Sequence, residues 1–210
     1  MERMVLQALQ AKYDYNEPIF LSEISFENIS NNYLRQVFKR LTDEGSLQRY
    51  DAGIYYLPKK STMLKNSYLD SNKVIINKYI TRGKEVYGYF TGFTFANQIG
   101  LTTQVPVRKE VVSNKESSQG RTLKFGGSTI RVKKPRILIT NKNYKVLQLL
   151  DLINDFEKWA EYELDEVYKI IARYVTEEQI GRDVIQECLP YYPAKVAKRL
   201  IESGLIYVFA

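Results

Sequence analysis

The sequence predicts an α+β protein: a helical N-terminal module closed by a hairpin, then a mixed domain with a small antiparallel sheet and C-terminal helices. Three observations point there. Between Asn31 and Pro58 a helical run of apolar residues stops at Gly45 and gives way to two short strands around Asp51-Ala52-Gly53. Between Val105 and Thr140 the pattern changes to alternation, with Gly126-Gly127 as a two-residue hairpin turn. From Lys142 onward apolar residues again recur at spacings of three and four. A chain of 210 residues suffices for one large or two small domains. Pro58-Lys59-Lys60-Ser61-Thr62 is the expected boundary, giving domains at 1–60 and 61–210, the second with a basic sheet region at 61–145 and a helical region at 146–210.

In chain order, Glu2 to Lys12 reads as a helix with Met4, Val5, Ala8 and Leu9 on its apolar side. Glu17-Pro18 breaks the chain, and Ser22 is placed to cap a short second helix from Glu23 to Phe26. Ser30 is placed to cap a third, in which Leu34, Val37, Phe38 and Leu41 form one stripe. Gly45 stands where a left-handed residue ends a helix. The opposite face carries Asn32, Tyr33, Arg35, Gln36, Lys39 and Arg40, with no acidic residue before Asp43. Asn, Gln and Arg read base edges bidentately, and Lys and Tyr reach phosphates. Helix, helix, outward-facing helix and hairpin in about 60 residues is the grammar of a winged helix-turn-helix, which lays one helix in the DNA major groove. In that case Asn32, Arg35 and Gln36 read bases, while Tyr33, Lys39, Arg40, Arg49 and Lys60 hold phosphates. Any three-helix domain ending in a hairpin shares the outline.

Beyond the boundary, Lys73 to Arg82 is expected as a helix and Gly88 to Leu101 as a shorter one. Strands are expected at Val105–Val112, Arg121–Phe125, Ser128–Val132 and Arg136–Thr140. Further on, Val146, Leu149, Leu150, Ile153 and Phe156 form one helical stripe, and Val167, Ile170, Ile171 and Tyr174 another. Thr176 is expected to cap a helix with Glu177 and Glu178 at its positive end. A last helix should end at Gly204 and lead into a strand, Leu205 to Phe209.

Composition narrows the chemistry. The chain has no histidine and one cysteine, Cys188, so an internal disulfide and any Ser-His or Cys-His pair are excluded. A zinc site would need thiolates that are absent. No metal or other cofactor is expected, and no motif supports an enzyme. Cys188, in an apolar stretch, reads as a buried thiol. The carboxylates between Asp151 and Glu166 are interspersed with Lys158, Lys169 and Arg173, as on a solvated helix face. No apolar run approaches the ~20 residues that span a bilayer, and the N-terminus lacks the pattern of a signal peptide; a cytoplasmic location is expected.

Net charge is +7, unevenly spread. Residues 1–60 hold 8 basic and 8 acidic side chains, residues 61–145 hold 16 and 4, and the remainder 7 and 12. Since cation contacts to phosphate dominate nucleic-acid affinity, Arg108, Lys109, Lys124, Arg131, Lys133, Lys134 and Arg136 are candidates for additional contacts to a DNA backbone. Solubility, or a surface for an acidic partner, accounts for the charge equally well.

Leu41-Thr-Asp-Glu-Gly45, then Leu47, Arg49 and Gly53-Ile-Tyr-Tyr-Leu-Pro58, resembles the winged N-terminal domain of AbiEi-type antitoxins. Gly100-Leu-Thr-Thr-Gln-Val-Pro106 is similar to a second signature, in the C-terminal region of that family. The resemblance implies a bacterial toxin–antitoxin component linked to abortive phage infection. It implies repression through operator inverted repeats upstream of its own operon, and counteraction of a nucleotidyltransferase-like toxin by the larger C-terminal domain. In such type IV systems neutralisation does not depend on a stable toxin complex. From another class, the same residues fit a protein-interaction module whose basic surface binds an acidic partner without operator binding.

Overall fold

A computed structural model describes residues 1–59 and 68–209 of an α+β protein. The chain divides into two compact units, Met1–Asn77 and Lys78–Ala210. The division falls later than Pro58–Thr62. Tyr50 of the hairpin hydrogen-bonds Ser71 and lies near Asp70, which associates that stretch with the first unit.

In the first unit, α1 (Glu2–Lys12) buries Val5 and Leu9. A two-residue strand β1 (Ile19–Phe20) leads into a single 3-10 turn, Leu21–Glu23. The helix expected at Glu23–Phe26, and with it the cap at Ser22, does not form. Ile24 is already extended and Asn28 adopts a positive φ of 65°, which interrupts helical hydrogen bonding. The next helix, α2 (Asn31–Asp43), follows the sequence closely. Ser30 Oγ accepts from the Tyr33 N–H at 3.2 Å, and Gly45 ends the helix at φ 76°. Strands β2 (Gln48–Asp51) and β3 (Ile54–Tyr56) form the hairpin, and β1 pairs with β3 to complete a three-stranded antiparallel sheet in the order β1-β3-β2. The core gathers Val5, Leu9, Leu34, Val37, Phe38, Leu41 and Leu47. Phe38 meets Tyr55 edge-on at 5.0 Å, worth about 0.5–1.5 kcal/mol beyond burial. A short helix α3 (Ser71–Ile75), capped by Asp70, continues as one π-turn, Ile76–Ile80.

The second unit begins with a small hairpin, β4 (Thr81–Arg82) and β5 (Glu85–Val86). Its main sheet comprises β6 (Gly88–Phe90), β7 (Arg108–Ser113), β8 (Arg121–Phe125) and β9 (Ser128–Lys133), in the order β6-β7-β9-β8. It is mixed rather than antiparallel: β7 and β9 run parallel, flanked by antiparallel pairs. Gly88–Phe90, expected to be helical, supplies an edge strand. A Cβ at Gly88 would lie 2.0 Å from the Tyr79 carbonyl oxygen, so only glycine permits that approach. Helix α4 (Gly92–Gln98) follows. Arg136–Thr140 is not a strand. The Asn114 side chain takes the place of a neighbouring strand, accepting from the Ile139 N–H at 3.0 Å and donating to its carbonyl at 2.8 Å.

Helices α5 (Tyr144–Asp155), α6 (Leu164–Glu177), α7 (Arg182–Cys188) and α8 (Ala194–Glu202) complete the unit. Thr176 caps nothing: it lies inside α6, its hydroxyl donating to the Ala172 carbonyl at 3.0 Å. The helix ends where Gln179 turns left-handed, so Glu177 and Glu178 stand at its negative end, with Lys145 paired to Glu178. Leu205–Tyr207 forms a 3-10 turn instead of a strand, with Leu205 and Phe209 still buried. Apolar side chains there satisfy the core without needing a strand partner. Cys188 is buried, and burial raises its thiol pKa. Among the described residues no helix is long and apolar enough to cross a membrane.

Candidate nucleic-acid interface and a polar cleft

On α2 the apolar stripe is turned inward and the polar stripe outward. Leu34, Val37, Phe38 and Leu41 are buried, whereas Asn32, Arg35, Gln36, Lys39 and Arg40 are exposed. Arg35 Nη1 lies 3.5 Å from Asn32 Oδ1, so these two tips share one patch near the helix start. The arrangement presents an amide and a guanidinium to whatever approaches. Tyr33 is half-buried and packs partly against the core.

Two further cations are partly engaged. Arg40 Nη1 is 2.5 Å from Glu2 Oε1, and that carboxylate raises the arginine's pKa. Arg49 is exposed on β2, and its Nε donates to the Asp51 carbonyl at 3.3 Å. Lys60 lies outside the described residues.

The sheet sorts the middle-segment cations by strand register. Arg108 pairs with Thr129, Glu110 with Arg131, Thr122 with Arg131, and Lys124 with Thr129. Alternation therefore places Arg108, Lys124, Arg131 and Lys133 on one face, and Lys109 on the other with Arg121. Lys134 and Arg136 follow the end of β9 and are exposed. Several of these charges already have partners. Lys133 Nζ is 2.6 Å from Glu110 Oε2, and Arg136 Nε is 3.8 Å from Asp151 Oδ1. On the opposite face Arg121 Nε is 2.5 Å from Glu116 Oε2. Burial opposes ionisation of Glu116, yet the Ser118 N–H and hydroxyl together with Arg121 outweigh it and bring the carboxyl down to about 2.

Residues 11–180 match the model of a family of unknown function (DUF6088). The chain belongs to that family. The matched stretch takes in α2, the hairpin, the mixed sheet, α5 and α6, and ends before α7. No curated protein matches the chain. The family's description assigns no activity, so function has to be argued from the residues.

In this family member Asp151, expected on a solvated face, instead points from α5 into a cleft of about 660 Å³ beside the sheet, its side chain only 18% exposed. Its Oδ2 accepts from the Tyr89 hydroxyl at 2.9 Å and lies 3.4 Å from the Thr91 hydroxyl. Burial raises the Asp151 pKa, against hydrogen bonds from Tyr89 and the charge of Arg136, which lower it. Burial and the neighbouring carboxylate likewise push Tyr89 and Tyr192 far up, so both phenols stay protonated as donors. The sequence holds one weak signal for this: Asp151 follows Leu149 and Leu150 and precedes Leu152, an apolar setting for a carboxylate. Asp155, one turn on, behaves as expected and pairs with Lys158 at 2.8 Å. Lys169 pairs with Glu166 at 3.3 Å, also as on an exposed face.

Proposed function

We propose that the protein is the antitoxin of a bacterial toxin–antitoxin system linked to abortive phage infection, and that it represses its own operon by binding inverted repeats upstream. The observation that carries the DNA-binding part is the face of α2. Asn32, Arg35, Gln36 and Lys39 are exposed together on a helix whose other side is wholly engaged in the core. In this proposal the first unit is a winged helix-turn-helix whose second helix is reduced to one 3-10 turn. Asn32, Arg35 and Gln36 read base edges, Lys39 and Arg49 hold phosphates, Arg40 joins them on release from Glu2, and Tyr33 contributes its hydroxyl. Arg108 and Lys124, on one sheet face without an acidic partner among the described residues, are the best placed of the middle-segment cations for further backbone contacts.

The antitoxin role rests on the resemblance of residues 41–58 and 100–106 to AbiEi-type antitoxins. The partner toxin is of the nucleotidyltransferase-like class, neutralised without a stable complex, and the protein works in the cytoplasm without a cofactor.

The test is a footprint of the full chain on the DNA upstream of its own gene. Protection of paired repeats, lost on Arg35→Ala while random duplex is bound as before, is the expected result. Equal losses on operator and random DNA would remove base reading from α2. Rescue of growth on co-expression with the toxin, unaccompanied by any operator footprint, would favour the protein-interaction reading.

A further inference from the structure

The cleft beside Asp151 has a charge pattern that its own ion pairs leave incomplete. Lys133 is matched by Glu110, Lys158 by Asp155, and Arg136 by Asp151. Arg131 and Lys134 also line the cleft, and neither has a carboxylate within 4.0 Å among the described residues. Two unmatched cations at the rim of a partly enclosed space call for a ligand carrying about two negative charges. The cleft also offers flat surfaces. Trp159 and Tyr191 line it, and the Arg136 guanidinium is held 4.8 Å from the Tyr192 ring centroid, which fixes one cation as a planar shelf.

The floor is set up for a hydrogen-bond donor. Asp151 is a buried acceptor, and the Oδ1 of Asn154, another residue of the lining, is buried with no donor among the described residues. Asp151, whose side chain keeps 18% of its surface accessible, is the acceptor that an incoming amino group can reach. A volume of about 660 Å³ lies within the ~300–1,000 Å³ of small-ligand sites.

We propose that this cleft binds a nucleoside monophosphate. Its phosphate dianion sits between Arg131 and Lys134, its base lies against Trp159, and an exocyclic amino group faces Asp151. The same chemistry is presented by a free mononucleotide and by the phosphorylated end of a single strand. The site lies wholly within the second unit and does not depend on α2 touching DNA.

Trp159 is the sole tryptophan of the chain, so its fluorescence reports on the cleft directly. The full-length protein is titrated with AMP, CMP, UMP, adenosine and inorganic phosphate, and in parallel with 5′-phosphorylated and unphosphorylated tetranucleotides, each repeated by calorimetry. AMP or CMP should give a saturable change, with UMP, adenosine and phosphate each at least tenfold weaker. A phosphorylated tetranucleotide that binds more tightly than the mononucleotide assigns the site to strand ends; the reverse assigns it to free nucleotides. The Arg131→Gln, Lys134→Gln double variant should lose at least tenfold in affinity with an unchanged melting temperature, whereas Arg35→Ala should leave it intact. No response and no heat with any probe would overturn the proposal, as would full affinity in the double variant. Loss of operator binding with the titration unaltered would instead count only against the α2 proposal.

Discussion

The outer face of α2 and the cationic face of the mixed sheet both read as basic in sequence, but the two regions use their charges differently. On α2, Arg35 and Lys39 stand exposed with no acidic side chain paired to them among the described residues, and only Arg40 is held, by Glu2. In the sheet region Lys133, Arg121 and Arg136 each have a carboxylate close by. A balanced first segment thus displays free cations, while a segment with a net charge of +12 has already engaged part of its own. Segment charge sets the long-range field, but a cation held by a carboxylate has to exchange that partner before it can bind a phosphate.

Predictions that break or sharpen this contrast run from large to small. Phe38 is fully buried against Tyr55, so Phe38→Ala should cost the first unit about 3–5 kcal/mol by denaturant unfolding. Arg35→Ala, one turn away on the exposed face, should leave stability within about 0.5 kcal/mol yet weaken operator binding by ~1–3 kcal/mol in a shift assay. Similar stability losses for both variants would mean that the two faces of α2 are not separated as described.

Glu116→Ala should destabilise the second unit by roughly 1–3 kcal/mol, because the carboxylate accepts from Ser117, Ser118 and Arg121. Its pKa is depressed from 4.5 to about 2, so the stability it confers is complete above pH 4.5 and fades as pH falls towards 2. Acid unfolding of the wild type and of Glu116→Gln should therefore converge over that interval. Curves separated by a constant offset down to pH 2 would contradict the assignment.

Salt dependence separates free from engaged cations on the sheet. If Arg108 and Lys124 touch DNA, replacing both with Gln should lower the slope of log affinity against log salt by ~0.9 for each phosphate left unneutralised, with Lys133→Gln causing a smaller change. The opposite ranking would show that the Glu110 pair opens on binding. Smallest of all, Glu2→Gln frees Arg40 and should strengthen DNA binding slightly, since an exposed, solvent-screened ion pair holds its cation weakly. A weakened complex would assign Glu2 a structural part instead.

Local sequence rules decided α2 and its surroundings. Ser30, the stripe from Leu34 to Leu41 and Gly45 act within a few residues of each other, so cap, buried face and stop could all be read from spacing. The hairpins at Ala52-Gly53 and Gly126-Gly127, the stripe of α5 and the burial of Cys188 were legible for the same reason. Tertiary structure alone decided the rest. Nothing near Gly88 announces that the Tyr79 backbone will press against it, or that Arg136–Thr140 will find its hydrogen bonds on Asn114 and not on a strand. The parallel pairing of β7 with β9 joins strands separated by a third element, and ion pairs such as Lys133 with Glu110 depend on that register. Asp151 is the sharpest case: helical spacing fixes which way it points, but only the packed sheet opposite turns that direction into a partly enclosed, hydrogen-bonded cleft.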